Sequence, residues 1–117
     1  IQFALTYPQR LKTDFPRFNF MDYPNLTFEQ ADRNVFKNLD LAYRVMEMKG
    51  TAACALNAAN EVAVAAFLEN KISFLAISAL NEHVVEEMTN ILSPKYDDFV
   101  SVDLSAREIT NQKIERL

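Results

Sequence analysis

The 117-residue sequence holds one glycine, one cysteine, one histidine and no tryptophan. A single glycine, against an average of about 7%, excludes a glycine-rich phosphate loop of the dinucleotide or P-loop type. One cysteine, Cys54, excludes an internal disulfide framework and a multi-cysteine metal site, and it favours a reducing compartment. With His83 as the only histidine, the chain cannot build a histidine metal pair or supply a local base to a serine or cysteine nucleophile.

Charge and hydropathy exclude two further classes of protein. The formal net charge is −4, so the chain has no basic field of the kind that binds nucleic-acid phosphates. Its most apolar run is interrupted by Asn57, Asn60 and Glu61, and no stretch reaches the ~18 apolar residues of a membrane span. We therefore expect a soluble, single-domain protein without nucleic-acid or membrane partners.

One small cluster of positive charge lies near the start of the chain. Arg10, Lys12 and Arg17 are close in sequence, but Asp14 and Asp22 lie among them. Mixed charges of this kind are typical of a solvated surface. We interpret this segment as such a surface.

The most informative segment is residues 51–68, an alanine-dense apolar run. Alanine has the highest helix propensity and permits close approach of neighbouring helices, so we predict a helix that is the most buried element of the chain. Asn57, Asn60 and Glu61 fall on one narrow arc of this helix. They either bind a ligand together or form hydrogen bonds with the backbone of a neighbouring helix. We expect the second arrangement, because a buried polar group without a partner costs ~1–3 kcal/mol.

Three further helices are predicted by apolar residues that recur every three or four positions. Gly50 is a stop signal for the first, and Pro94 closes the third. Thr51 is expected to cap the alanine-rich helix and Asp103 the last one, while Ser73 is the available cap for the third. The predicted helices cover residues 35–49, 51–68, 77–91 and 104–117.

Residues 1–34 hold three of the four prolines and short runs of alternating apolar residues. The run 1–7 indicates a strand, although so short a run also fits a helical turn. The runs 18–20 and 26–28 predict two short strands around a turn. The predicted fold is mainly α: an antiparallel four-helix bundle over residues 35–117, preceded by an irregular connecting arm with one or two short strands.

Few side chains are candidates for chemistry. Cys54, between alanines, is expected to pack as a small hydrophobe rather than to react. His83 is expected to be an ordinary, partly exposed histidine rather than a ligand or a base. Asp97 and Asp98 form a possible metal pair, but adjacent acids before a helix are usually only solvated.

Five motifs occur in one order along the chain: ALTYPQRL at 4–11, LTFE at 26–29, LNAANEVAVAAFL at 56–68, SVD at 101–103 and ARE at 106–108. Together they resemble the C-terminal part of the 1-deoxy-D-xylulose 5-phosphate reductoisomerase family. The resemblance covers essentially the whole chain, and the run that begins at Leu56 is its most specific element. The third predicted helix departs from the family pattern, because Leu75 and Ala76 stand where the family often has threonine or aspartate.

The resemblance implies an enzyme of the non-mevalonate isoprenoid pathway that converts deoxyxylulose phosphate to methylerythritol phosphate with NADPH and a divalent metal, Mg or Mn. In that family an N-terminal domain binds NADPH, a central domain carries the metal-binding acids, the substrate-phosphate site and a mobile loop, and a C-terminal helical bundle braces them. The family's metal-binding acids, its phosphate-contacting serine, asparagine and lysine, and its glycine-rich nucleotide loop all precede the point that matches Ile1. We therefore predict no catalytic, cofactor-binding or metal-binding residue in this chain.

The resulting hypothesis is a C-terminal scaffold domain of this bacterial, cytoplasmic enzyme. The chain begins at Ile1 without an initiator methionine, which we take to indicate a piece of a longer protein. Its expected partners are the missing NADPH-binding and central domains, in an enzyme that forms a homodimer, and the piece alone is expected to be inert. The alternatives are an independent helical protein-interaction module with an aromatic arm, and self-association through exposed apolar surface.

Overall fold

The computed structural model describes all 117 residues, which divide into two compact units, Ile1–Gln30 and Ala31–Leu117. The chain is mainly α, with five helices and no strand. None of these helices is both long enough and apolar enough to cross a membrane. The helices are α1 (Gln2–Thr6), α2 (Lys37–Met48), α3 (Ala52–Leu68), α4 (Phe74–Glu87) and α5 (Tyr96–Ile114).

The larger unit is organised around α3. This helix contacts α2, α4 and α5, and it contributes to every cluster of buried apolar side chains. Six of its alanines are buried, and Ala58, Ala59 and Ala63 have no exposed surface. Because a methyl side chain keeps the helix narrow, three neighbouring helices can pack closely against it. The prediction that this helix is the most buried element is confirmed.

The turn between α2 and α3 is bonded to the segment after α4. Gly50 has a φ of +59°, and a Cβ there would overlap the carbonyl oxygen of Ile91 and lie 2.7 Å from Oδ1 of Asn90. Thr51 is the N-cap residue of α3, as predicted, but the prediction that its side chain accepts from a free N–H of this helix is wrong. Its Oγ1 instead accepts from the Ile91 N–H at 3.1 Å, and its own N–H donates to Asn90 Oδ1 at 2.9 Å. The buried Thr51 hydroxyl thus satisfies a loop amide rather than its own helix.

The same contacts explain why α4 ends early. The apolar pattern extends the helix to residue 91, but α4 ends at Glu87. Asn90 uses its side chain outside the helix, where Nδ2 donates to the Met48 carbonyl at 3.1 Å. At the other end, Ser73 is the cap as expected, since its Oγ accepts from the Ala76 N–H at 3.3 Å.

The last helix begins eight residues before the predicted start, at Tyr96 instead of at Leu104. The carboxylate of Asp98 accepts from the Lys95 N–H at 2.8 Å and closes the first turn. Acidic side chains at this end also suit the positive end of the helix dipole. Asp97 and Asp98 therefore belong to the first turn of α5, and Asp103 lies inside the helix.

The strands predicted for the arm are absent. Residues 2–6 form α1 instead, in which the Leu5 N–H donates to the Ile1 carbonyl at 3.1 Å. Residues 18–20 form no strand, and the chain turns at residues 20–22, where Oδ1 of Asn19 accepts from the Met21 N–H at 3.1 Å. Asparagine commonly closes such turns through its own side chain. Alternation of apolar residues over so few positions does not distinguish these local turns from strands.

Candidate functional site

Asn57, Asn60 and Glu61 lie on one side of α3, and we call them the polar arc. Its two exposed members form a hydrogen bond with each other. Asn57 and Glu61 are exposed and lie one turn apart, and Asn57 Nδ2 donates to Glu61 Oε1 at 3.0 Å. Asn60 is half-buried and points into a different set of contacts, described below. The three residues therefore do not converge on one ligand position.

A single arginine links this edge of α3 to α5. Arg107 donates through Nη2 to Glu61 Oε2 at 2.6 Å. It also donates through Nε to Asp103 Oδ2 at 2.8 Å and through Nη2 to Asp103 Oδ1 at 3.1 Å, one turn earlier on α5. The guanidinium fork thus holds one carboxylate from its own helix and one from the neighbouring helix. We call Asn57, Glu61, Asp103 and Arg107 the ionic brace.

The charges of the ionic brace are fixed at neutral pH. Hydrogen bonds from Arg107 lower the pKa of Asp103 and of Glu61, and the two carboxylates raise the pKa of Arg107, Asp103 contributing most. Glu61 and Arg107 border an open pocket of about 430 Å³. A general acid or base needs a pKa near the working pH, and neither of these side chains is shifted toward neutrality. The arrangement is suited to joining two helices rather than to proton transfer.

Asn60 belongs to a second group, in which three asparagines join α2, α3 and α4. Asn81 Nδ2 donates to Asn60 Oδ1 at 3.0 Å and to Asn38 Oδ1 at 3.1 Å. Asn81 is 1% exposed, and its own Oδ1 has no hydrogen-bond partner. We call these three residues the asparagine cluster.

The expectation that the polar arc bonds to a neighbouring helix backbone is wrong. Its partners are the side chains of Asn81 and Arg107. Backbone groups inside a helix are already paired with each other, so side-chain amides and guanidinium groups are the donors that remain available. Asn81 was not predicted as a partner. It lies between Leu80 and Val84 on the apolar face of α4, and a polar residue on such a face signals a buried hydrogen bond.

The remaining candidates are placed separately. His83 is partly exposed, as expected, and its Nε2 lies 2.9 Å from Glu87 Oε2 on the same helix. Cys54 is half-buried; burial raises the pKa of its thiol, and its Sγ lies 3.6 Å from the Phe99 carbonyl oxygen. A raised thiol pKa favours packing over reactivity. The chain brings together no group of three histidine, cysteine or acidic side chains that could hold a metal ion.

Comparison with known proteins gives one consistent family. Residues 1–109 match the family model described as the DXP reductoisomerase C-terminal domain, where DXP is 1-deoxy-D-xylulose 5-phosphate. The 1-deoxy-D-xylulose 5-phosphate reductoisomerase of Bacteroides fragilis is 46% identical over 114 residues, which is 97% of this chain and 29% of that protein. The enzyme of the same name from Caldanaerobacter subterraneus is also 46% identical, over 99% of this chain and 31% of its own length.

A solved structure agrees with the sequence matches. The 1-deoxy-D-xylulose 5-phosphate reductoisomerase from Zymomonas mobilis, in complex with NADPH, superposes with a TM-score of 0.82 at 32% identity. The match covers 98% of this chain and 30% of that one, so the chain spans about three tenths of the length of the proteins it matches. The order of motifs, the helical fold and these matches agree, and the chain belongs to the DXP reductoisomerase C-terminal domain family.

Proposed function

We propose that this chain is the C-terminal scaffold of an NADPH- and divalent-metal-dependent enzyme that converts deoxyxylulose phosphate to methylerythritol phosphate in the bacterial cytoplasm. Residues 1–34 are the connecting arm at the end of the central region, and residues 35–117 form an antiparallel bundle that braces that region. The NADPH-binding and central domains of a homodimeric enzyme are its partners. In this proposal the chain alone is inert, and no residue of it is catalytic or binds cofactor or metal.

The observation that carries the proposal is that the side chains of the polar arc on α3 are hydrogen-bonded to other side chains of this chain. Its two exposed members, Asn57 and Glu61, are bonded to each other, and Glu61 is held by Arg107 from α5. Asn60 is engaged by Asn81 from α4. Glu61 and Asn60 therefore each join α3 to a neighbouring helix, and Asn57 supports Glu61 from within α3, which is the chemistry of a brace.

An exposed apolar groove also supports the proposal that one face of the bundle contacts another domain. An apolar groove of about 400 Å³ lies between the segment before α2 and the start of α4. Phe74 and Leu75 on its wall are 69% and 77% exposed, and Phe36 on the other side is 58% exposed. Contiguous exposed apolar surface of this kind marks a contact site for other protein surface. In the proposal the central domain covers it.

The scaffold role is tested in a chimera in which this chain replaces the matching region of the Bacteroides fragilis relative. Glu61→Gln removes the ionic contact with Arg107, and Glu47→Gln, at an exposed position of α2 outside any ion pair, is the matched control. We expect both chimeras to keep the turnover number of the unmodified chimera at temperatures where they are folded, with Glu61→Gln unfolding at a lower temperature. A loss of turnover number in folded Glu61→Gln, with unchanged unfolding temperature, would place this carboxylate in the chemistry and contradict the scaffold role.

The aromatic arm favours a second candidate, an independent helical module that binds a partner protein. Phe20 and Phe28 are 75% and 87% exposed, more than a chain without partners is expected to leave uncovered. The gene that encodes the chain separates the two candidates. A dinucleotide fingerprint and an acid cluster encoded upstream support the enzyme, whereas an open reading frame limited to these residues supports the module.

A further inference from the structure

Three basic side chains of the first unit line one pocket. Arg10, Lys12 and Arg17 border a cavity of about 250 Å³ within residues 2–17. The sequence interpretation treats them as a solvated surface because Asp14 and Asp22 lie among them. Neither aspartate lines the pocket. The fold therefore separates the positive charges from the negative charges that alternate with them along the chain.

No carboxylate neutralises these three cations. Every ion pair of the chain lies between residues 33 and 107, and none involves Arg10, Lys12 or Arg17. Arg107, by contrast, is shared by two carboxylates. Like charges gathered at one cavity repel each other, and a bound anion removes that repulsion. The pocket thus carries three formal positive charges, none of which is in an ion pair.

The best-positioned of the three is Arg10. Its guanidinium carbon lies 4.3 Å from the centre of the Phe3 ring, and Phe3 in turn meets the edge of Tyr7 at 5.7 Å between ring centres. Stacking on an aromatic face holds the plane of the guanidinium and leaves its N–H edges available. The hydroxyl of Thr6, also on the wall, is already directed to the carbonyls of Gln2 and Gln9, at 3.1 and 2.8 Å. Gln2 and Thr13 are the other polar side chains on the wall, and both are uncharged, so the charge of the pocket comes from its three cationic side chains.

We propose that this pocket binds a phosphate group, free or as a small phosphate ester or diphosphate. Two arginines and one lysine match an anion that carries two or more charges and at least three acceptor oxygens around one centre. A carboxylate offers one charge and two oxygens in a plane, and it leaves most of the pocket charge unpaired. The proposal is independent of the scaffold role, because it concerns only residues 2–17.

The test is a titration of the 117-residue chain with inorganic phosphate and with pyrophosphate, followed by ³¹P NMR at low ionic strength. We expect saturable binding, tighter for pyrophosphate, that weakens as potassium chloride is added. Arg10→Gln and Lys12→Gln are each expected to weaken binding about tenfold, the loss of one charge-assisted hydrogen bond. Lys49→Gln removes the same charge from an exposed position outside the pocket and is expected to leave the affinity unchanged. Because Lys12 does not stack on Phe3, its variant reports on charge without disturbing that contact.

Three results would overturn the proposal. One is the absence of saturable binding by the unmodified chain. Another is an equal loss of affinity in Lys49→Gln and the pocket variants, which indicates attraction to net charge only. The third is tighter binding of a short oligoglutamate peptide than of pyrophosphate at matched charge, which assigns the pocket to carboxylates. Arg10→Lys, which keeps the charge and loses the fork, is expected to fall between the unmodified chain and Arg10→Gln.

Discussion

The two units of this chain use apolar residues in opposite ways. In residues 31–117 alanine supplies seven of the 14 buried apolar residues, and Ala58 and Ala59 have no exposed surface. In residues 1–30 the largest ones remain exposed, with Phe20 at 75% and Phe28 at 87%. The aromatic rings of this unit meet mainly each other, as in the stacked pair Phe18 and Tyr23, whose centres are 5.2 Å apart.

The difference shows that position relative to neighbouring elements, rather than hydrophobicity of the residue, decides burial here. An alanine of α3 is covered because α2, α4 and α5 surround its helix. A phenylalanine of the first unit is larger and more hydrophobic, but one five-residue helix and turns supply little to cover it. Substitutions in the two units should therefore have very different effects on the free energy of unfolding.

The largest effect is expected from enlarging an alanine of the core. Ala59→Leu adds three carbon atoms at a position with no exposed surface, among α3, α4 and α5. Overpacking a dense core forces side chains off their rotamers and shifts backbone, so we expect the free energy of unfolding to fall by about 3 kcal/mol. Urea denaturation measures it. Ala53→Leu, at an exposed position of the same helix, is the control and should change it by less than about 0.5 kcal/mol. Equal effects of the two substitutions would contradict the central place of α3.

The next effect concerns the turn that holds α3 against the segment after α4. Gly50→Ala keeps a φ of +59° that L residues disfavour and brings a methyl group onto the Ile91 carbonyl. We expect a loss of about 2 kcal/mol, measured by thermal unfolding. Asn70 has the same φ of 59° at an exposed position. The Asn70→Ala variant therefore reports the effect of this backbone conformation on the unfolding free energy without a steric contact. If both substitutions lower the free energy of unfolding by the same amount, the overlap with the Ile91 carbonyl contributes nothing to the loss.

A smaller, pH-dependent effect is expected from the ionic brace. Arg107 lowers the pKa of Glu61 and Asp103 in the folded chain, so the stabilisation is present above their ordinary pKa values of 4.5 and 3.8 and is lost as the pH falls through the lowered values. Arg107→Met should therefore reduce the decline in unfolding free energy on acidification. Urea denaturation from neutral pH down past 3.8 measures the slope. Lys37→Met, which removes a cation outside any ion pair, should leave the slope unchanged; a parallel change in both variants would refute the assignment to the brace.

The smallest effect is expected in the first unit. Phe28→Ser replaces an aromatic ring that is 87% exposed, and the free energy of unfolding of the chain should change by less than about 0.5 kcal/mol. Thermal unfolding of the variant and of the unmodified chain gives the comparison. A loss comparable to that of Ala59→Leu would show that this ring is covered in solution and would remove the contrast between the two units.

Elements determined by local pattern were predictable from the sequence. The alanine run predicts a helix over residues 51–68, and α3 covers Ala52–Leu68. Its signals are local, because alanine favours the helix and Gly50 directly precedes it. The cap at Ser73 is local in the same sense. The family resemblance, carried by the same run, was also available before any coordinates.

Features that depend on distant segments were not predictable in this way. Ile91 continues the apolar face of α4, yet Asn90 bonds to Met48 across 42 positions and ends the helix earlier. The pairing of Asn60 with Asn81, and the gathering of Arg10 with Arg17 at one pocket, likewise require knowledge of how the chain folds back. The early start of α5 is a different case. Asp98, which closes its first turn, is a local signal in the sequence, but the prediction placed the cap at Asp103 instead.

The central claim, that the chain is a scaffold without catalysis of its own, is tested most directly by reductoisomerase turnover of the isolated chain. The assay follows NADPH oxidation with deoxyxylulose phosphate and Mg or Mn, with the Bacteroides fragilis relative as the positive control. We expect the chain to oxidise NADPH no faster than a blank without protein. Turnover above the blank that disappears in a Glu61→Gln variant, still folded by circular dichroism, would contradict the claim and place catalysis on the polar arc of α3.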